Sequence, residues 1–204
     1  MNAGVRLALA PARHACGGLR VAVEGEPCVL RCSGALWLVE TRTLVAADLH
    51  LEKGSAFAAR GQMLPPYDSA ATLARLAEEI VELDPARVVL LGDSFHDSRS
   101  IQRMAPGDRM RLEILAAGRE WLWLEGNHDR QALIDSLEDG GEALPGAVIE
   151  TLDIGPLRLI HEPQPAEVVA SKQIVTLSSR QLHDRLVRHA HPIVAGSTSR
   201  DPPP

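Results

Sequence analysis

Four short stretches carry side chains suited to divalent cations. They are Asp48-Leu49-His50, Gly92-Asp93-Ser94-Phe95-His96-Asp97, Gly126-Asn127-His128-Asp129 and His161-Glu162-Pro163. Each follows a largely apolar run, at residues 44–47, 88–91, 121–124 and 157–160, with Glu125 intervening before Gly126 and Arg158 inside the last run. In open α/β sheets, ligands collect at the carboxyl ends of strands. Carboxylate, amide and imidazole together suit two divalent transition ions better than one structural zinc.

Each stretch also has a plainer reading. Asp48 and His50 share one side if the segment is extended, and can then chelate one ion together; a D-x-H at a strand end is otherwise an ordinary surface feature. Asp93 follows Gly92, where the backbone can turn sharply. A carboxylate there can bridge two cations about 3.5–4 Å apart, or merely cap the next helix. Asn127 offers a hard amide oxygen, and His128 can pass a proton to a leaving alkoxide. Asp129 can hold that imidazole in its tautomer; the competing reading is a polar turn. A lone histidine such as His161 is commonly structural. The coincidence of four such strand ends outweighs the separate alternatives.

The elements needed to position these groups are legible. Residues 1–26 read as a Gly- and Ala-rich arm leading into a first strand. Residues 29–32 and 35–39 flank Ser33-Gly34 as a β-hairpin, and 43–47 make a third strand ending at Asp48. Residues 49–61 form a loop or short helix. From 68 to 83 the period is helical, with Leu73, Leu76, Ala77, Ile80 and Val81 apolar and Glu78, Glu79 and Glu82 opposite. Residues 87–91 read as a strand buried on both faces. A helix near 108–117, a strand at 120–124 and a helix near 130–137 follow. Two more strands, 148–152 and 157–160, then flank Gly155-Pro156. Strand–helix alternation predicts an α/β fold, with a core over 27–165 and a divergent C-terminal segment over 166–204, in which 179–189 can form one amphipathic helix.

Composition narrows the function. A chain of 204 residues is ample for one core. The formal charge of −6 argues against coating nucleic acid by broad phosphate neutralisation, yet two bound dications would make a cleft electropositive. Cys16, Cys28 and Cys32 form no zinc-type pairs and read as reduced cytosolic thiols. Cys28 and Cys32 are expected on one strand face. No run approaches the roughly 18 apolar residues of a membrane span, so a cytoplasmic protein is expected.

Asp48-x-His50, Gly92-Asp93, Gly126-Asn127-His128-Asp129 and His161 resemble the successive motifs of the calcineurin-like metallophosphoesterases. That resemblance implies an α/β fold, the four-layer αββα metallophosphoesterase sandwich, around a dinuclear centre of Mn, with Fe or Zn as alternatives. Asp48 and His50 would hold one ion, Asp93 would bridge, and Asn127 and His161 would hold the second. The family closes its cage with G-H-x-H; here the matching run is Arg188-His189-Ala190-His191-Pro192, with Arg188 in the glycine position. His189 and His191 are therefore the candidate closing ligands. Many family phosphatases carry Asp where this chain has His96, and the G-D-x-F-H form resembles the nuclease branch. With Asp48-Leu49-His50-Leu51-Glu52-Lys53-Gly54 and His161-Glu162-Pro163, the chain is most similar to the PdeM-type, DNA-ligase-associated phosphoesterases.

By that resemblance, water activated by the two ions attacks phosphorus. His128 serves the leaving oxygen, oriented by Asp129 or Asp97, and His96 contacts the scissile phosphate or positions His128. The implied substrate is DNA or a nucleotide, with a ligase or helicase of a repair set as partner. Arg99, Arg103, Arg109 and Arg111 can grip flanking phosphates or form a solvated face. A small-molecule nucleotide phosphoesterase, favoured by the negative charge, and a non-catalytic binding descendant remain alternatives.

Overall fold

The structure, a computed structural model, describes residues 7–8, 13–62, 68–127, 130–138 and 144–161. Its first elements are β1 (Leu7–Ala8), β2 (Leu19–Val23), β3 (Glu26–Leu30), β4 (Leu36–Leu38), β5 (Thr43–Ala46), α1 (Lys53–Ala58) and α2 (Asp68–Leu83). Then come β6 (Arg87–Leu91), α3 (Ser100–Arg103), α4 (Pro106–Ala116), β7 (Glu120–Leu124) and α5 (Arg130–Glu138). Strands β8 (Ala147–Ile149), β9 (Leu152–Ile154) and β10 (Leu157–Leu159) complete the series.

Strands β1 to β8 form one sheet in sequence order. The first five pair antiparallel as a meander. From β5 to β8 the pairing is parallel, because the α-helical crossovers return the chain to the same edge. The carboxyl ends of β5, β6 and β7 therefore share one rim.

Period-two alternation divides the core into two layers. Val88 and Leu90 of β6, with Leu44, Trp121 and Trp123, face Leu73, Leu76 and Ile80 of α2 and Leu112 and Leu115 of α4. The intervening Val89 and Leu91, with Val45, Leu122 and Leu124, face Ile154, Leu157 and Leu159. Those last residues belong to β9 and β10, which pair as a separate two-stranded sheet. The result is a mixed α/β sandwich with helices on one face of the main sheet and a second sheet on the other. The outer helical layer of the four-layer expectation is not among the described residues. Fully burying a Leu or Val side chain contributes about 1.5–3 kcal/mol, so both layers are needed to hold β5, β6 and β7.

Several sequence readings change in detail. The segment expected as an arm contains β1 and β2, which lie in the main sheet. The strand expected over 148–152 is two strands: β8 pairs with β7, while β9 pairs with β10. Ile149, Leu152 and Ile154 all pack in the same layer, so the apolar pattern runs on across the exposed Glu150-Thr151 where the chain changes sheet. Cys28 and Cys32 do not share a strand face. Cys28 is buried in β3, where burial, helped by Glu26, pushes its thiol up to about 12, and Cys32 is exposed beyond the strand.

The helix over 68–83 has the bounds its periodicity predicts. Pro106 starts α4, where a missing N–H is tolerated. Arg31, in the β3–β4 connection, is buried and ion-paired to Glu79 and Glu82 of α2 at 2.6 and 2.7 Å. No helix among the described residues is long and apolar enough to cross a membrane.

Candidate metal centre

The loops leaving β5 and β6 are laced together by their backbones. Asp48 N–H donates to the Gly92 carbonyl at 3.3 Å, His50 N–H to Asp93 at 3.0 Å, and Leu51 N–H to Ser94 at 2.8 Å. His96 N–H donates back to Leu51 at 3.0 Å, making Leu51 and Phe95 a parallel bridge. Phe95 is fully buried and stacks on Trp123, ring centroids 5.4 Å apart, which ties this lacing to β7.

The lacing requires unusual backbone. Asp48, His50, Glu52 and Asp93 all have positive φ, at 53°, 45°, 65° and 50°. Left-handed backbone is uncommon outside glycine, although Asp and His tolerate it better than most. Each such residue costs of order 1–3 kcal/mol and persists where surroundings over-determine it. The side chains of Asp48 and His50 do converge, but the cause differs from the expected extended strand: two left-handed residues flank Leu49. Three bonds from two residues at the start of α2 hold the next turn. Ser69 Oγ accepts from Glu52 N–H at 2.8 Å and donates to Glu52 Oε1 at 3.0 Å, while Asp68 Oδ2 accepts from Gly54 N–H at 2.6 Å.

This backbone gathers Asp48, His50 and Asp93 so that one ligand atom from each lies within 4.8 Å of the others. His161 stands outside that trio and reaches Asp93, with Nε2 3.5 Å from Oδ1. Its Nδ1 donates to the Leu91 carbonyl at 3.2 Å, which turns Nε2 toward the carboxylate. Metal-binding histidines are oriented by just such a bond from the other ring nitrogen. Gly92, with φ 72°, lies under that imidazole, and a Cβ there would run into the His161 ring. The chain thus keeps a glycine where the ring must sit. Two carboxylates and two imidazoles in this arrangement fit divalent transition ions.

Beside the trio stands His96, edge-on to His50 with ring centroids 6.1 Å apart and against Phe57 at 5.8 Å. Burial pushes its imidazole below the ordinary value. The Asp97 carboxylate opposes this, while His50, Lys53 and Arg60 add to the lowering. The charged form of His96 is therefore disfavoured, and its neutral ring can still donate one hydrogen bond. Asp97 is engaged elsewhere: Arg103 Nη2 lies 2.7 Å from its Oδ1, and Arg99 N–H and Ser100 Oγ donate to the same oxygen. Burial would raise that carboxyl, but these donors, Arg103 foremost, hold it below the usual range.

Asn127 is exposed in the turn after β7, on the rim that carries Asp48 and Asp93. His128, Asp129, His189 and His191 lie outside the described residues. Of the four arginines considered as phosphate grips, three are committed internally. Arg103 bonds Asp97 and Ser55, Arg109 bonds the Ile101 carbonyl, and Arg111 pairs with Asp108. Sequence reasoning missed Glu52, Asp68 and Ser69 as supports of the ligand loop; nothing in their spacing announces a role.

Comparisons with known proteins bear on the family and the fold. A sequence profile described as "Calcineurin-like phosphoesterase" matches residues 41–181. No curated protein sequence matches. Among solved structures, that of Pseudomonas putida nuclease MPE superposes with a TM-score of 0.58 at 26 % identity, covering 78 % of this chain and 72 % of that one.

Proposed function

This chain belongs to the calcineurin-like phosphoesterase family, and from that premise we propose that it is a metal-dependent phosphodiesterase acting on DNA. The observation carrying the proposal is the convergence of Asp48, His50 and Asp93, with His161 turned onto Asp93. The similarity to Pseudomonas putida nuclease MPE supports the nucleic-acid reading.

In this reading Asp48 and His50 hold one ion, Asp93 is shared, and Asn127 and His161 hold a second, with His189 and His191 as further ligands. Manganese is the ion of first choice. Bound there, such ions supply Lewis acidity toward the phosphoryl oxygens and make water a better nucleophile. The chain's own residues do the rest. The laced loops hold the ligands ready before substrate arrives, so little reorganisation is needed on binding. His96, half-buried, donates a hydrogen bond to the scissile phosphate. His128 delivers a proton to the leaving oxygen, and Asp129 orients it. The salt bridge from Arg103 to Asp97 supports Asp129 over Asp97 as the partner for His128.

A cytoplasmic repair enzyme working beside a DNA ligase or helicase is the setting proposed for this activity. The net charge of −6 favours one other reading, hydrolysis of small nucleotide phosphodiesters. Turnover of bis(p-nitrophenyl) phosphate and of a fluorescent oligodeoxynucleotide, each with Mn²⁺ and with EDTA, separates these outcomes. Mn²⁺-dependent cleavage of both substrates is expected. Cleavage of the small diester alone would favour the second reading, and cleavage of neither would remove the enzyme assignment.

A further inference from the structure

Helix α1 follows the ligand loop after a single residue of separation from Leu51, and two of its neighbours fix its orientation. Gly54 and Ala56 are buried, Gly54 N–H is held by Asp68, and Ser55 Oγ accepts from Arg103 Nε at 3.2 Å. Lys53 and Arg60 are exposed and Phe57 is half-buried. They are spaced four and three residues apart, which places them along one side of a helix and the turn that ends it. That turn is closed by Arg60 N–H and Gln62 N–H, both donating to the Phe57 carbonyl at 3.0 and 2.9 Å.

This side faces the candidate metal centre. Phe57 packs on His96, which stands edge-on to the ligand His50. Lys53 and Arg60 lie close enough to His96 to act on its charge. Neither cation is ion-paired with any described residue, whereas Arg31, Arg42, Arg87, Arg103, Arg111, Arg130 and Arg158 all are. In a chain of net charge −6, two cations with no ion pair among the described residues, beside a carboxylate-rich site, have a consequence: they offer charge to something anionic that arrives there. Between them lies an aromatic ring of the kind that packs against a base or sugar.

We propose that Lys53, Phe57 and Arg60 form the subsite for the nucleotides flanking the scissile phosphate. Lys53 and Arg60 hold neighbouring backbone phosphates, and Phe57 packs against the intervening base or sugar. The role rests on the phosphodiesterase reading above, and it accounts for how an acidic protein grips a polyanion: through one short cationic wall. A small diester such as bis(p-nitrophenyl) phosphate fills the reacting centre and reaches little of this wall. The wall is thus a determinant of polynucleotide preference.

The test pairs kinetics with binding, using the full chain and the variants Lys53→Ala/Arg60→Ala and Phe57→Leu. The double variant should lower the ratio of kcat/KM for a fluorescent oligodeoxynucleotide over that for bis(p-nitrophenyl) phosphate at least tenfold, chiefly through KM. Phe57→Leu should lower it by a smaller factor, with Phe57→Trp recovering it. Separately, the affinity of metal-free protein for the same oligonucleotide is measured by fluorescence anisotropy across salt concentrations. The log–log salt slope should flatten by about 1 for each cation removed. Ratios within twofold of wild type, with an unchanged slope, overturn the subsite. Absence of turnover by the wild type would instead overturn the phosphodiesterase reading, while the anisotropy series would still decide whether the wall binds a polyanion.

Discussion

The rim of the sheet holds two kinds of strand end. After β5 and β6 the chain is laced, with four backbone hydrogen bonds joining residues 48–51 to 92–96 and left-handed residues at Asp48, His50 and Asp93. After β7, among the described residues, Glu125 N–H donates to the Ile149 carbonyl, Arg130 N–H to Gly126, and Asn127 is exposed. The difference separates two tasks. In the proposed function, the ligands that meet a cation at fixed distances are set by strained, doubly tied backbone. A group that must move a proton to a leaving oxygen needs hydrogen-bond reach and an appropriate protonation state, which a turn at the same rim can supply.

This contrast predicts that damage to the two ends will look different. The largest effect is expected for Asp93→Ala, which removes the carboxylate shared by the Asp48–His50 trio and His161. Activity should fall below detection together with bound metal, as read by elemental analysis of the purified protein. A variant that keeps its full metal content would place Asp93 outside the centre. His128→Ala should come next, lowering kcat by about 10²–10⁴-fold while metal content stays at the wild-type level. Loss of metal in that variant would erase the division between the two ends.

Gly92→Ala probes the laced end from the backbone side. A side chain at φ 72° is strained, and its Cβ would displace the His161 ring. We expect a loss of about 1–3 kcal/mol in denaturant unfolding and weaker metal retention in the same protein. Full stability with full metal content would mean that His161 does not depend on the close approach to Gly92.

The smallest effect is expected at the salt bridge behind His96. Arg103 holds the Asp97 carboxyl below its ordinary range, so the pair contributes stability above that range and loses it as pH falls through the lowered folded value. Arg103→Ala should therefore cost about 1 kcal/mol at neutral pH, with a gap to wild type that narrows in acid. A pH-independent gap would assign the loss to the Ser55 contact instead of the charge pair.

Much of this was legible in the sequence, and for physical reasons. Buried parallel strands are continuous apolar runs, so β6 and β7 were marked by composition, and α2 by an amphipathic period that its tertiary packing simply uses. The ligand types at strand ends were visible because the chemistry of divalent ions restricts them. The conformation that unites Asp48 and His50 was not visible, since left-handed backbone in non-glycine residues is imposed by the partner loop and not by local preference. For the same reason Glu52 and Ser69 could not be recognised: their bond spans 17 residues and depends on where α2 docks. The division of residues 147–154 between two sheets escaped because both strands feed one apolar layer. Lys53, Phe57 and Arg60 left a faint helical spacing, but only the packing of Phe57 on His96 gives it direction.

The central claim is that Asp93 is shared between two ions, one held with Asp48 and His50 and one with His161. Titrating Mn²⁺ into metal-free wild-type protein, with stoichiometry and electron paramagnetic resonance read on the same sample, tests it most directly. Two ions per chain with a spin-coupled signal are predicted. Saturation at one ion, or two ions with independent signals, would contradict it.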